Sequence, residues 1–191
     1  MSLVALIYFS QTDFTHKLAA SVVQGCESIT GASVMQHRII GEEIEQGRFR
    51  QESCLELIDQ SDAVIFGSPT YMGGPAAQFK AFADATSERW ERQLWSGKLA
   101  AGFTDGANAN GDQLATIQYF SILAAQHGML WIGLDIAGGM DEQGLNPLGS
   151  QLGLTAHAVA PEPAPLDIKT ARYFGARVAG ASRRVTSPGT A

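Results

Sequence analysis

The sequence predicts an α/β protein: a parallel sheet with helices covering both faces. Three observations predict it. Five apolar runs of strand length alternate with stretches whose apolar residues recur at helical spacing. The first run, residues 3–9, is continuously apolar, as a strand buried on both faces requires. The chain of 191 residues has no internal repeat and no linker long enough to divide it.

The elements follow in order. After the first strand, Phe14, Leu18, Val22 and Cys26 mark one stripe of an amphipathic helix. Residues 32–39 alternate like a strand with one wetter face. Residues 41–60 are charged and loosely helical, with Cys54, Leu57 and Ile58 as apolar contacts. Residues 63–67 form a buried third strand, and Phe79, Phe82, Ala83, Thr86 and Trp90 mark the next helix face. Residues 99–103 are the fourth strand, followed by a helix carrying Leu114, Ile117, Ser121 and Ala124. Residues 129–134 are the fifth strand. A Gly-rich stretch over 136–153 and a brief apolar run over 155–160 come next. Pro161, Pro163 and Pro165 stiffen the approach to a last helix, whose inner side carries Ile168, Ala171, Gly175, Val178 and Ser182. Residues 1–185 are expected to form one domain, with 186–191 a disordered tail.

Composition narrows the function. A net charge of −6 argues against nucleic acid as the main partner, because that binding rests on Lys and Arg neutralising phosphates. Cys26 and Cys54 lie in helical patterns without CxxC spacing, which suits a reducing compartment. The first strand begins at residue 3, leaving no room for a signal peptide, and no apolar stretch approaches the ~20 residues of a membrane span. These features predict a cytoplasmic protein without membrane insertion. His16, His37 and His157 show no metal-ligand spacing.

Parallel sheets of this kind bind ligands beyond the carboxyl ends of their strands. Three loops there are unusual. After the first strand, Ser10, Gln11, Thr12, Asp13, Phe14 and Thr15 bring three hydroxyls to a helix start, where free N–H groups can cradle a phosphate. Taken alone, this stretch reads first as an N-cap, with Thr12 or Asp13 capping. After the third strand, Pro69, Thr70, Tyr71, Met72 and Gly73 offer an aromatic, a thioether and exposed backbone suited to a flat ring. After the fourth, Thr104, Asp105, Gly106, Ala107, Asn108, Asn110 and Gly111 are polar and flexible enough to bring amides to a heterocycle. A phosphate end, a ring-sandwiching middle and an amide-rich far side describe a site for flavin mononucleotide (FMN).

These loops resemble the flavodoxin-like superfamily, and most closely the WrbA-type NAD(P)H:quinone oxidoreductases. The similarity is carried by Tyr8-Phe9-Ser10, by residues 66–73 with 78–84, by Trp90 and residues 97–100, by residues 123–129, and by residues 171–175. The resemblance implies a doubly wound five-stranded sheet of order 2-1-3-4-5, bound FMN, and two-electron reduction of a quinone by NADH or NADPH in a ping-pong sequence. It implies that the three loops named above hold the cofactor. Trp90 and His127 are implied beside the exposed ring face as substrate-binding residues, with His127 bonding or protonating the quinone oxygen. It also implies a homo-oligomer, dimer or tetramer, in which Trp90 reaches a neighbouring subunit's site. The sequence departs from the family at three places: Asp13 stands where glycine is usual, Tyr71 where a cation is common, and Asn108 and Asn110 replace glycines. Asp13 is therefore expected to face solvent or to cap the helix. The alternatives are an electron carrier, an FMN-dependent reductase of nitro or azo compounds, and, from a different class, a flavin-free regulatory or scaffold protein.

Overall fold

The first strand, β1 (Ser2–Phe9), is apolar on both faces because both faces are covered. Val4, Leu6 and Tyr8 point into one core, and Ala5, Ile7 and Phe9 into the other. The structure, a computed structural model, describes residues 1–138 and 141–186. The chain continues through α1 (Phe14–Glu27), β2 (Ala32–Ile39), a 3-10 turn at Gly41–Glu43, and a small hairpin of β3 (Ile44–Glu45) and β4 (Arg48–Phe49). Then come α2 (Glu52–Gln60), β5 (Ala63–Tyr71), β6 (Gly74–Pro75), α3 (Ala77–Ala85) and α4 (Ser87–Glu91). β7 (Leu99–Gly106), α5 (Gln113–Gln126), β8 (Leu130–Trp131), β9 (Leu154–His157) and α6 (Pro165–Thr186) complete it.

The sheet runs β2-β1-β5-β7, and β7 then pairs in parallel with both β8 and β9. Leu99 and Ala100 face β8, while Phe103 to Gly106 face β9. With β8 and β9 counted as one interrupted strand, this is the expected 2-1-3-4-5 order. The fifth strand is thus shorter than residues 129–134, and the apolar run near 155–160 supplies its second half. The excursion between them is pinned at its base, where Trp131 Nε1 donates to the Leu152 carbonyl at 2.8 Å and Leu134 N donates to the Gln151 carbonyl at 2.9 Å.

Two other elements depart from expectation. The helix drawn through Trp90 breaks at Thr86, whose hydroxyl donates to the Ala83 carbonyl at 2.7 Å and competes with the helical ladder. Residues 41–60 are helical only from Glu52. The expected tail begins at Thr186, where α6 ends, and its other residues lie outside the described ones. Among the described residues, no helix is long and apolar enough to cross a membrane.

One face of the sheet is filled by an aromatic cluster of Phe49, Phe66, Phe79, Phe82 and Phe120, with ring centroids between 4.7 and 6.5 Å apart for the contacting pairs. The other face carries α1 and α6, and these two helices touch through their backbones. Gly25 lies against the Arg172 carbonyl, and Gly175 against the carbonyl of Val22. The Cys26 thiol donates to the Gly175 carbonyl at 3.2 Å, and burial pushes that thiol up to about 12, so it stays protonated.

A methyl group at Gly25 or Gly175 would collide with main-chain atoms that no rotamer change can move. Gly25→Ala is expected to lower unfolding free energy by about 3 kcal/mol or more, at the upper end of overpacking costs. Gly180→Ala in α6, where an added Cβ meets nothing, is expected to be neutral. Urea denaturation of both variants checks this.

Candidate functional site

The carboxyl ends of β1, β5 and β7 bring the three loops onto one rim. At the first loop, β1 ends at Phe9 and α1 starts at Phe14, so the chain must turn within four residues. Asp13 makes the turn in the left-handed region, at φ 65°, where Asp is better tolerated than most residues. Its carboxylate does not cap the helix. It pairs with Arg38 at 2.7 Å, and Arg38 also donates to the Ser10 carbonyl at 2.9 Å. Asp13 therefore sits on the solvent side with its charge matched, as one of the two expected outcomes had it. Arg38 was not singled out from the sequence, although its place near the carboxyl end of the second strand could have flagged it.

Ser10 is buried and accepts from the backbone of His16 at 3.1 Å, which leaves its own proton to donate. Gln11 and Thr12 are exposed. Phe14 turns its ring into the core below the sheet, so only its backbone can serve a ligand. Thr15 is buried, and its hydroxyl donates to Asp105 Oδ1 at 2.7 Å. The first turn of α1 leaves N–H groups without helical acceptors, with the positive end of the helix dipole behind them.

The second and third loops face each other across a cleft of about 420 Å³. Thr70, Met72 and Gly73 line one wall; Gly106, Ala107, Asn108, Gly111 and Asp112 line the other. Met72 and Gly73, at φ 49° and 78°, form the tight turn between β5 and β6, and this leaves Met72 fully exposed. Pro69 is buried beneath, and Ser68 ties the turn down by accepting from Ala76 N at 2.9 Å. Thr70 shares its hydroxyl with Thr104 and Thr116, each at 2.8 Å, while Thr104 donates to the Ser68 carbonyl at 2.7 Å. Thr104 and Asp105 thus lie under the cleft as parts of β7, not in its lining. Asn110 turns to the far side of its loop, into a separate cavity of about 750 Å³ shared with Leu114, Pro147 and Leu152. Of two further residues near the cleft, Asp112 was not singled out from the sequence and His157 was assigned no chemistry. Asp112 lines the cleft and begins α5, and His157 on β9 lies 3.2 Å from the Ala107 carbonyl.

Asp105 is the electrostatic exception. Burial raises its carboxyl to about 6, with the Thr15 hydrogen bond opposing. Its charge also helps raise the Tyr71 phenol, after burial.

Trp90 and His127 are not on this rim. His127 caps the far end of α5, and fourteen residues at 1.5 Å each put about 20 Å between it and the cleft. It is buried, tilted against the Trp95 ring at 4.4 Å, and 2.9 Å from the Thr86 hydroxyl. That hydroxyl gives its proton to Ala83, so His127 Nε2 must be the donor and Nδ1 carries the lone pair. Nδ1 has no partner, and burial lowers the imidazole to about 4. At neutral pH His127 is therefore uncharged and holds no spare proton for a quinone. Half-exposed Trp90 shares with it a groove of about 440 Å³ along α3 and α5.

The donors present suit FMN. Helix-end amides with the Ser10 and Thr12 hydroxyls fit a phosphate, and the cleft of about 420 Å³ between two backbone turns has room for a flat ring. Gln113 Oε1, buried without a partner at the base of the third loop, is a further polar atom at this end of the sheet.

Comparison with known proteins agrees. Residues 14–141 match the family described as NADPH-dependent FMN reductase. The chain is 33% identical to flavodoxin FldP of Pseudomonas aeruginosa, over 94% of this chain and 96% of that one. It is 31% identical to an NAD(P)H dehydrogenase (quinone) of Geotalea uraniireducens, over 95% and 98%. The crystal structure of a WrbA-like flavodoxin from Agrobacterium tumefaciens superposes with a TM-score of 0.75, at 38% identity over 96% of this chain and 99% of that one.

The Asp105 shift has a consequence for stability. An acid whose native pKa lies above its unfolded value of about 3.9 binds more protons when folded. Stability therefore falls as pH rises between about 4 and about 6, by roughly 2–3 kcal/mol, and stays low above that. Asp105→Asn, which can still accept from Thr15, is expected to match the wild type near pH 4 and to exceed it by that amount at neutral pH. Thermal melts across pH check it.

Proposed function

Because the chain belongs to the NADPH-dependent FMN reductase family, and is an FMN-dependent oxidoreductase, we propose that it passes two electrons from NADH or NADPH to a quinone by a ping-pong sequence. The observation that carries this reading is the cleft between Thr70–Gly73 and Gly106–Asp112, beside the amino-terminal end of α1. FMN, when bound, supplies the two-electron chemistry that amino acid side chains lack.

The chain's own residues position and polarise. The Ser10 and Thr12 hydroxyls and the first amides of α1 would hold the phosphate. Arg38, paired with Asp13 and donating to the Ser10 carbonyl, would keep the loop in shape with its charge already matched. The turn at Met72–Gly73 and the backbone of residues 106–111, on opposite walls of the cleft, would hold the flavin ring, and main-chain donors there would favour negative charge on it. Tyr71, partly exposed at the lip, offers a surface for nicotinamide or quinone to stack against. Trp90 and His127 can serve substrate only from another copy of the chain. The α3–α5 groove, with exposed Trp90 and Ile122, is the face that would bring them to a neighbour's cleft. In that setting neutral His127 orients substrate and does not protonate it.

The similarity to flavodoxin FldP favours a second reading, an electron carrier without its own nicotinamide activity. One experiment separates the two. Purified protein titrated with FMN should develop a bound-flavin spectrum, bleach with NADPH or NADH, and recover on addition of benzoquinone. Binding without bleaching would leave the carrier; absence of binding at micromolar FMN would end both readings.

Trp90→Ala is expected to shift the protein toward monomer on size exclusion and to lower quinone turnover while keeping FMN affinity. Unchanged assembly and turnover would remove Trp90 and His127 from the substrate site.

A further inference from the structure

We propose that Asp105 takes up one proton when the FMN phosphate seats on the first turn of α1, and that this reverses the hydrogen bond between Asp105 and Thr15. The inference rests on the assignment of that turn as the phosphate cradle.

The geometry poses a problem for an anion. Asp105 is 4% exposed, at the carboxyl end of β7, and its carboxylate reaches the first turn of the helix whose amides would hold the phosphate. Among the described residues, no lysine, arginine or histidine forms an ion pair with it. The groups around it do not neutralise it either. On the α1 side, Asp13 is taken by Arg38, and His16 Nδ1 is 2.6 Å from the Tyr8 hydroxyl. From β5 comes the Tyr71 phenol, itself an acid. From β9 comes His157, whose ring nitrogen is directed to the Ala107 carbonyl. A phosphate dianion arriving here adds a second negative charge to a buried, unpaired one, and two such charges cannot share a low-dielectric site cheaply.

Thr15 is compromised in the same way. Its only proton goes to Asp105 Oδ1, so its hydroxyl offers lone pairs to anything else. A phosphate oxygen needs the opposite. One proton from solvent on the Asp105 carboxylate resolves both difficulties. The carboxyl O–H donates to Thr15 Oγ1, and the Thr15 hydroxyl turns its proton to the phosphate oxygen. The balance is one proton gained per FMN bound, with no bond to carbon or phosphorus changed and no electron moved. That Asp105 is already poised near pH 6 in the ligand-free protein keeps the uptake within reach of neutral conditions. Riboflavin, which lacks the phosphate, requires no proton.

Asp105 is thus a positioning residue acting through Thr15, and its signature is a pH profile. FMN and riboflavin are titrated into the wild type and into Asp105→Asn from about pH 6 to about pH 9, with the phosphate's own ionisation near pH 6 common to both proteins. In the wild type, the ratio of FMN to riboflavin affinity should fall by up to about tenfold per pH unit above pH 7, as one linked proton requires. In Asp105→Asn, whose amide can donate to Thr15 at any pH, that ratio should stay flat and exceed the wild type's at alkaline pH. Calorimetry of the wild type in two buffers of different ionisation enthalpy should show close to one proton taken up per FMN near pH 8. Parallel profiles in the two proteins, or no proton uptake by the wild type, would overturn the proposal while leaving the FMN site standing. Equal affinity for FMN and riboflavin at every pH would instead remove the phosphate cradle itself. The wild-type proton count decides the matter even if the variant does not fold.

Discussion

The close approach of α1 and α6 holds this site together from a distance. With Gly25 against the Arg172 carbonyl and Gly175 against that of Val22, the two helices meet backbone to backbone at these positions. Through that contact α1 packs close against α6 on one face of the sheet. Its amino-terminal turn then falls at the rim, with Thr15 within hydrogen-bonding distance of Asp105 on β7, two strands away. A bulkier residue at either glycine would push the two helices apart and shift the first turn of α1 relative to the cleft. The turn proposed to hold the phosphate thus depends on packing at the opposite end of the helix.

The two acidic residues near that turn show how surroundings set the role of a carboxylate. Asp13 is exposed, adopts a left-handed backbone, and is matched by Arg38; it shapes the loop and leaves the local charge near neutral. Asp105 is buried and meets only a hydroxyl, so its charge is costly and its carboxyl is pushed up to about 6. The residue that looked awkward in the sequence proves compensated. The one that looked ordinary carries the electrostatic tension of the site.

The split fifth strand serves the cleft as well. β9 pairs with the last four residues of β7, and Ala158 N donates to the Gly106 carbonyl at 2.8 Å, so the third loop leaves a backbone anchored on both sides. With Ser68 and Ala76 fixing the second loop, the two walls of the cleft rest on strands, and only the turns themselves are exposed. A preorganised cleft of this kind suits a tightly held flavin cofactor in a member of the FMN reductase family.

The sequence by itself determined the class of fold and the three loops that meet at one edge of the sheet. Those properties are local: apolar period, strand length, and turn residues at strand ends. The expectation that Asp13 faces solvent also came from the sequence, but its pairing with Arg38 did not. Only the tertiary structure decided which atoms of those loops are available. Phe14 and Thr104 are turned into the protein, Asn110 faces another cavity, and Thr15 has given its proton to a residue 90 positions away. His127 shows the limit most clearly. Its spacing along the chain was visible, but the length of α5 carries it to the other end of the sheet, and burial removes its charge. Such outcomes depend on which distant segment lies opposite each side chain, because burial and long-range pairing are properties of the packed chain and leave no period in the sequence.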